Sequence, residues 1–265
     1  MDFDESRIYL PGDDVRTIDW RVTARTGIAH TKVFREERER SVILVVEFSQ
    51  SMFFGTRVAF KSVIAAQAAA LIGWAAINRG DRVGALLASG SGHHELRPAG
   101  GRRGVLRLLN MVVEASHPVN GYGTDDGLDA ALVRTRRVVK PGSLVVVISD
   151  FYGLDDEAQR HFMRLRAHND VMACWIRDPL EQHAPPPGRY PITDGRYRAV
   201  LDTARVGAQR FEGLCQRREA RVRTLIRERG IPIVEINTCD DVGDALQRGF
   251  AEPVYTGEAR SGTHA

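Results

Sequence analysis

Two short segments of the chain are apolar at almost every position. Residues 41–48 (SVILVVEF) and residues 144–148 (LVVVI) consist mainly of Val, Ile and Leu. Runs of this length and composition are typical of strands that are buried on both faces of a parallel sheet. We therefore predict two central strands at these positions. Less continuous apolar runs predict further strands at residues 31–34, 82–88, 94–97, 171–176, 197–202 and 231–236.

Longer segments with a helical spacing of apolar residues separate these strands. They predict helices at residues 56–79, 101–115, 125–138, 154–168, 205–229 and 241–251. In the second of these helices, the expected core face carries Leu106, Leu109, Val112 and Val113. The alternation of strands and helices predicts the α/β fold class, with a doubly wound, mostly parallel sheet and helices on both of its faces.

The composition changes along the chain and indicates three parts. Residues 1–40 form an N-terminal block that contains a turn sequence, YLPGDD, and ends in a charged run. Residues 41–252 hold the α/β domain, in which the proline-rich residues 178–202 predict an irregular excursion. Residues 253–265 predict a flexible tail.

Charge and composition argue against several classes of protein. The 265 residues carry a formal net charge of +3, which is too small to indicate nucleic-acid binding. The arginine-rich predicted helix 205–229 is interrupted by glutamates, which favours a solvated face over a nucleic-acid contact. No segment approaches the ~20 apolar residues of a membrane span, and the acidic start lacks the apolar core of a signal peptide. Three widely spaced cysteines, Cys174, Cys215 and Cys239, predict buried free thiols in a reducing compartment, so we expect a cytoplasmic protein.

Oxygen-bearing side chains follow the two central predicted strands. Glu47, Ser49 and Ser51 lie at the end of the first strand, Asp150 follows the second, and Thr124 precedes a predicted helix. In a doubly wound sheet, ligands bind at the carboxyl ends of the strands, where the strand order reverses. Hydroxyl and carboxylate oxygens suit Mg²⁺, which takes few protein carboxylates and keeps several waters. These five residues are therefore the candidate metal ligands, for Mg²⁺ or Mn²⁺.

The order of these residues resembles the metal-ion-dependent adhesion site of von Willebrand factor A domains, whose pattern is D-x-S-x-S, then Thr, then Asp. The resemblance implies a von Willebrand factor A-like domain in which the serines and the threonine bind the ion directly and the acids act mostly through water. Glu47 departs from the pattern, because it keeps the charge of Asp but extends the carboxylate by one methylene.

The N-terminal block carries a second and more specific resemblance. Its sequence YLPGDDVRTIDW, followed by TAR, is similar to the segment that precedes the A-type domain in the domain-of-unknown-function family 58 (DUF58). That resemblance implies a bacterial protein that works with a MoxR-type AAA+ ATPase in the chaperone-like assembly or activation of protein complexes. The candidate partner-binding residues are Tyr9, Gly12, Asp13, Asp14, Arg16, Asp19, Trp20 and Arg25.

A structural role for the same block is the alternative. In that interpretation the aspartates cap backbone groups, Arg16 or Arg25 pairs with Asp19, and Trp20 packs on the domain. Because the sequence has no G-x-S-x-G elbow and no H-E-x-x-H motif, we expect a non-catalytic interaction module. Two other hypotheses stay open, namely a metal-assisted hydrolase with Asp125 or Asp126 as its base, and a metal-free scaffold in which the site has degenerated.

Overall fold

The chain divides into two compact units, Met1–Glu39 and Arg40–Ala265. The computed structural model describes residues 2–35, 39–90, 92–117, 128–193, 198–204, 206–226 and 229–251. In the first unit, strands β1 (Asp2–Ile8) and β2 (His30–Arg35) form an antiparallel pair. Helix α1 (Trp20–Thr26) lies between them in the chain. The sequence predicted the second strand of this pair but not the first.

A six-stranded sheet forms the centre of the second unit. Its strands are β3 (Ser41–Phe48), β4 (Arg82–Ser89), β5 (Gly92–Ala99), β6 (Leu144–Ser149), β7 (Asp170–Arg177) and β10 (Ile233–Asn237). They are ordered β10-β7-β6-β3-β4-β5, and only β5 runs antiparallel to its neighbour. The chain leaves β3 toward β4 on one side and returns to β6 on the other. The topological switch point of a doubly wound sheet therefore lies between β3 and β6.

Helices cover both faces of this sheet, which confirms the predicted fold class. They are α2 (Lys61–Asn78), α3 (Gly101–Ala115), α4 (Leu128–Val138), α5 (Asp156–Arg166), α6 (Val206–Ile226) and α7 (Val242–Ala251). Apolar residues of α2, α3 and α7 form one core with one face of the sheet, and those of α4, α5 and α6 form a second core with the other face. No helix among the described residues is long and apolar enough to cross a membrane.

Helix α2 begins five residues later than the sequence predicted. The expected start, Thr56, instead donates hydrogen bonds from its backbone nitrogen and its hydroxyl to the carboxylate of Asp178, at 2.9 and 2.6 Å. This long-range contact holds residues 56–60 as a loop over the end of the sheet. The helix then starts at Lys61, whose backbone nitrogen donates to the carbonyl of Phe54 at 2.8 Å.

The predicted core face of α3 is also wrong in part. Val113 is 69% exposed and Leu106 is 44% exposed, whereas Val105 and Leu108 are fully buried. The reason is a close approach of α3 to α2, because a Cβ on Gly73 of α2 would lie 2.7 Å from a methyl group of Leu108. Because Gly73 has no side chain, Leu108 and Val105 can face the core. Leu106 and Val113, which the sequence predicted on the core face, face outward instead.

The proline-rich excursion contains more regular structure than its composition suggests. A short 3₁₀ helix spans Pro179–Glu181, and strands β8 (Arg189–Thr193) and β9 (Arg198–Asp202) form an antiparallel pair of their own. The sequence predicted β9 but missed β8, because Pro191 argues against a strand. A proline is tolerated there because a two-stranded pair consists of edge strands alone.

Candidate functional site

The carboxyl ends of β3 and β6 bring four of the five candidate metal ligands to one edge of the sheet. Ser49 begins a 3₁₀ helix, Gln50–Met52, but its hydroxyl makes no cap hydrogen bond and lies 3.1 Å from the hydroxyl of Ser51. The side chain of Ser49 also donates to Glu47. The fifth candidate, Thr124, lies outside the described residues, as do Asp125 and Asp126.

Glu47 is buried and hydrogen-bonded beneath these serines. The hydroxyl of Ser149, at the end of the neighbouring strand, donates a short hydrogen bond to Glu47 Oε2. Burial, followed by the nearby carboxylate of Asp150, raises the pKa of Glu47 to about 7. The longer carboxylate at this position is therefore engaged with a hydroxyl of the adjacent strand.

A constrained turn fixes the position of Asp150. Phe151 adopts a left-handed backbone conformation, with φ of 54°, and its nitrogen donates to the hydroxyl of Ser149 at 2.7 Å. The next amide, of Tyr152, donates to Asp150 Oδ1 at 2.9 Å. Phe151 itself is buried against Phe162 of α5, with 6.1 Å between the ring centroids. The apolar contact and the two hydrogen bonds hold the turn, and the turn holds the carboxylate.

Lys61 occupies the centre of this edge, and the sequence analysis missed it. Its Nζ donates to Asp150 Oδ2 at 2.6 Å and to Glu181 Oε1 at 2.7 Å, while its side chain is only 1% exposed. Burial alone would lower the pKa of the Lys61 ammonium, but the charges of Asp150 and Glu181 outweigh that effect and raise it. A buried lysine in this position is therefore charged, and its charge is compensated twice.

Arg218 of α6 joins the same group of charges. Its guanidinium donates to Glu181 Oε1 at 2.9 Å and to the backbone oxygen of Asp150 at 3.0 Å. Burial would raise the pKa of Asp150, but the neighbouring Lys61 and Arg218 lower it. Arg218 also lies over the ring of Tyr152, 4.6 Å from its centroid. We call Lys61, Asp150, Glu181 and Arg218 the charge cluster.

One motif in the sequence could have indicated Glu181. The residues DPLE form a capping box in the structure, in which Asp178 accepts from Leu180 N and Glu181 Oε2 accepts from Asp178 N at 3.1 Å. The capping box holds Glu181 at the sheet edge with its second oxygen directed to Lys61 and Arg218. No comparable signal exists for Lys61 or Arg218, which stand in a buried helix and in an arginine-rich helix.

The described residues do not fit the divalent ion that an adhesion-type site would hold. Both carboxylate oxygens of Asp150 are engaged, one by the Tyr152 amide and one by the Lys61 ammonium. Two cations, Lys61 and Arg218, already balance the two carboxylates of the charge cluster. The hydroxyls of Ser49 and Ser51 lie beside Glu47, whose carboxylate already accepts hydrogen bonds from Ser149 and Ser49.

A second group of potential metal ligands lies between α4 and α5. Oxygen atoms of Asp129 and Glu157 and a nitrogen of His161 lie within 4.8 Å of one another. Arg136 donates to His161 Nδ1 at 3.0 Å. Because a guanidinium only donates, Nδ1 is the acceptor and the proton of the neutral ring is on Nε2, which faces Asp129 at 3.5 Å. With its proton on Nε2, the ring could not bind a metal through that nitrogen without a change of tautomer.

The three candidate partner-binding aspartates, Asp13, Asp14 and Asp19, bond to groups within their own unit. Asp13 pairs with Arg7 at 2.7 Å and accepts from the Leu10 amide. Asp14 accepts from the backbone nitrogen of Arg16 and caps the 3₁₀ helix Val15–Thr17. Gly12, at φ of 112°, supplies the turn that only glycine adopts readily.

Asp19 is the N-cap of α1, and this corrects one expectation of the structural interpretation. Its carboxylate accepts from the amides of Arg21 and Val22 and from the hydroxyl of Ser6 at 3.0 Å. It is thus occupied by backbone donors and a serine rather than by a guanidinium of Arg16 or Arg25. The side chain of Trp20 is 70% exposed.

Several exposed apolar side chains accompany Trp20 in the first unit. They are Ile8, Leu10, Val15 and Ile28. Tyr9 lies beside them and is half-buried, with its backbone nitrogen bonded to the carbonyl of Ala29. The role of this block in binding a partner stays a prediction.

The fold and the site together define a doubly wound α/β protein with a polar centre at its switch point. The chain belongs to the DUF58 family, whose model, described as a protein of unknown function, matches residues 5–221. It is 33% identical over 239 residues to the uncharacterized protein Rv1480 of Mycobacterium tuberculosis and to Mb1516 of Mycobacterium bovis, covering 89% of this chain and 74% of each relative.

Two solved structures are more distantly similar. The conserved hypothetical protein BatB from Bacteroides thetaiotaomicron aligns with a TM-score of 0.48 and 15% identity, over 80% of this chain and 96% of that chain. A von Willebrand factor type A protein from Catenulispora acidiphila aligns with a TM-score of 0.43 and 10% identity, over 84% and 43%. At this distance neither likeness transfers a function to the chain.

Proposed function

We propose that this chain is a non-catalytic interaction module that docks a protein partner at the carboxyl edge of its sheet. The observation that carries the proposal is a pair of exposed aromatic rings beside the charge cluster. Tyr152 is 68% exposed and lies over Arg218, while Phe54 is 38% exposed and lies 5.7 Å from the Nζ of Lys61.

These rings are held on rigid supports. Arg218 is fixed by Glu181 and by the carbonyl of Asp150, and Lys61 by both carboxylates. Aromatic and arginine side chains dominate the binding energy of many protein interfaces, and rigid ones lose less entropy on binding. The edge therefore combines two exposed aromatic rings with charged side chains beneath them that have little conformational freedom.

The proposed partner is a MoxR-type AAA+ ATPase, with which the chain would act in the chaperone-like assembly or activation of protein complexes. This proposal follows from the membership in DUF58 and from the resemblance of the N-terminal block. The exposed Trp20 and its apolar neighbours offer a second contact surface for the same partner. A cytoplasmic location stays a prediction, and the experiment below tests whether binding depends on Mg²⁺ or Mn²⁺.

Binding of the purified chain to a purified MoxR-type ATPase of the same organism tests the proposal, measured in Mg²⁺ and again in EDTA. Tyr152→Ala should weaken binding by roughly tenfold or more, as loss of an aromatic contact at the centre of an interface does. Val113→Ala is the matched control, because Val113 is equally exposed but lies on α3. Equal affinity of wild type, Tyr152→Ala and a Trp20→Ser variant would contradict docking at either surface.

A metal-assisted hydrolase is the alternative from another class. Its proposed base, Asp125 or Asp126, lies outside the described residues, and the Asp150 carboxylate is engaged by Lys61. Screening phosphoesters and peptides with Mg²⁺ and Mn²⁺ separates the two classes. Metal-dependent turnover that is lost in Asp150→Asn would establish the enzyme.

A further inference from the structure

Lys61 is a buried cation at the N-terminus of a helix, a position that is unfavourable for a positive charge. It is the first residue of α2, a helix of 18 residues, and the preceding Phe60 provides no side-chain cap. The N-terminus of a helix carries a partial positive charge, so a cation there is disfavoured. The side chain is also buried, which adds the cost of removing an ammonium group from water. Something outside the helix must compensate for both effects.

The compensation comes from the edge of the sheet. Asp150 follows β6 and Glu181 belongs to the capping box, and each places one oxygen within 2.7 Å of Lys61 Nζ. Arg218 contacts Glu181 on the same oxygen, so the charge cluster holds two cations and two carboxylates. Each carboxylate oxygen of Asp150 already accepts one hydrogen bond, Oδ1 from the Tyr152 amide and Oδ2 from the Lys61 ammonium. A divalent ion bound at Asp150 Oδ2 would compete with the ammonium for that oxygen and would add two positive charges beside two cations that are already paired.

We infer that the ammonium of Lys61 supplies, from within the chain, the positive charge that a divalent ion supplies in an adhesion-type site. Among the described residues of this edge, Lys61 then takes the place of the ion beside Asp150. Because Lys61 is buried, its ammonium cannot contact a carboxylate of a partner. The residues of this edge that can contact a partner are then Tyr152, Phe54 and the partly exposed Arg218. This last point rests on the proposed docking function, whereas the replacement of the ion by Lys61 does not.

Lysine labelling tests the replacement directly, since the chain contains only three lysines. Lys32 and Lys140 are exposed and serve as internal controls. An amine-acetylating reagent, with the products read by mass spectrometry, should modify both controls and leave Lys61 protected, equally with and without millimolar Mg²⁺ or Mn²⁺. Labelling of Lys61 that rises to the level of the controls when metal is added would overturn the inference, because it would show the ion displacing the ammonium.

Thermal unfolding with and without metal gives an independent test. The Tm of the wild-type chain should not change in millimolar Mg²⁺ or Mn²⁺. Lys61→Met leaves the buried Asp150 and the partly exposed Glu181 with Arg218 as the one cation of the charge cluster, and it should lower Tm by roughly 10 °C. Metal should recover part of that loss in this variant alone. The same metal-induced rise in wild type and variant would overturn the inference.

A second variant covers the case in which Lys61→Met does not fold. The double change Lys61→Met with Asp150→Asn removes one charge of each sign and should fold with no response to metal. A rise of its Tm in metal equal to a rise in wild type would count against the inference. Neither labelling nor unfolding involves the partner, so loss of ATPase binding would contradict the proposed function and leave this result unaffected. Conversely, binding that is abolished by EDTA would contradict metal independence and leave docking intact.

Discussion

Thr56 and Asp178 lie 122 positions apart in the chain and are joined by two hydrogen bonds, from the backbone nitrogen and the hydroxyl of Thr56 to the two carboxylate oxygens. Asp178 also accepts from the hydroxyl of Thr238 at 2.7 Å. The same aspartate caps the 3₁₀ helix that presents Glu181. One buried carboxylate thus ties the loop before α2 to the residue that neutralises Lys61.

Asp178→Ala should therefore destabilise the second unit by about 3 kcal/mol, because it removes the acceptor of four hydrogen bonds, one of them from the buried hydroxyl of Thr238. Urea unfolding monitored by tryptophan fluorescence measures the loss. Asp202→Ala is a suitable control, since Asp202 is exposed and accepts a local hydrogen bond from Ala204 N. Similar free energies of unfolding for the two variants would contradict a stabilising role for the hydrogen bonds that Asp178 accepts from distant segments.

The pH dependence of stability should carry the signature of Asp178. Burial would raise its pKa, but the hydrogen bonds from Thr56, Thr238 and Leu180 lower it below the ordinary value of 3.8. A carboxyl group whose pKa is lower in the folded state stabilises the fold above its unfolded pKa, and this contribution is lost as pH falls through the folded pKa. Urea midpoints measured between pH 7 and pH 3, to be compared with those of Asp178→Asn, should fall more steeply for wild type below about pH 4. If the urea midpoints of wild type and Asp178→Asn fall with pH in parallel, Asp178 does not contribute to the pH dependence of stability.

Gly84 should not tolerate alanine. A Cβ there would lie 2.8 Å from the carbonyl oxygen of Leu96 and 3.0 Å from the nitrogen of Pro98, where β5 meets β4 with a shift in register. Since these are backbone atoms, we expect Gly84→Ala to cost about 2 kcal/mol. Gly153→Ala is the control, because no atom lies within 4 Å of its added methyl and its φ is not positive. Chemical denaturation of both variants measures their free energies of unfolding, and equal values would contradict the predicted cost at Gly84.

The first unit offers a way to separate structure from docking. Asp19→Ala removes the N-cap of α1 and should cost about 1 kcal/mol locally. Hydrogen exchange of the amides in Trp20–Thr26 should accelerate in that variant. Trp20→Ser should leave the same exchange rates unchanged, because the side chain is exposed, but should weaken binding to the ATPase. Faster exchange in Trp20→Ser would show that the ring has a packing role.

The three thiols should differ in reactivity, although the sequence predicted them to be alike. Cys174 is buried and its pKa is raised by burial to about 12, whereas Cys239 is exposed. Native alkylation with iodoacetamide should modify Cys239 first and spare Cys174 until the protein unfolds. The expectation of burial was wrong for Cys239 because it follows β10 in a turn, where side chains face water. Rapid modification of Cys174 would contradict its burial.

The central strands were predictable because burial on both faces leaves a simple trace in the sequence. In β3 and β6 the core requires apolar side chains at consecutive positions, so the pattern follows directly from packing. The convergence of Glu47, Ser49, Ser51 and Asp150 was predictable for a related reason, since the ends of neighbouring parallel strands meet.

Features that depend on contacts between distant segments left no such trace. The start of α2 is set by Asp178, and the orientation of α3 is set by the absence of a side chain at Gly73. Lys61 falls inside the helix predicted over residues 56–79, where nothing in the local sequence indicates its partners, and the compensation of its buried charge follows only from Asp150 and Glu181. The sequence therefore located the site but not the cation at its centre.

The charge cluster draws its four members from positions 61, 150, 181 and 218, and so from most of the length of the second unit. During synthesis, Asp150 leaves the ribosome well before Glu181 and Arg218, and until those residues arrive its neutralisation is incomplete. Long-range contacts of this kind form late in folding because the intervening chain must first be ordered. The group of charges beneath Tyr152 is thus assembled only after Arg218 has been synthesised, and a chain truncated before Arg218 would lack the surface to which a partner could bind.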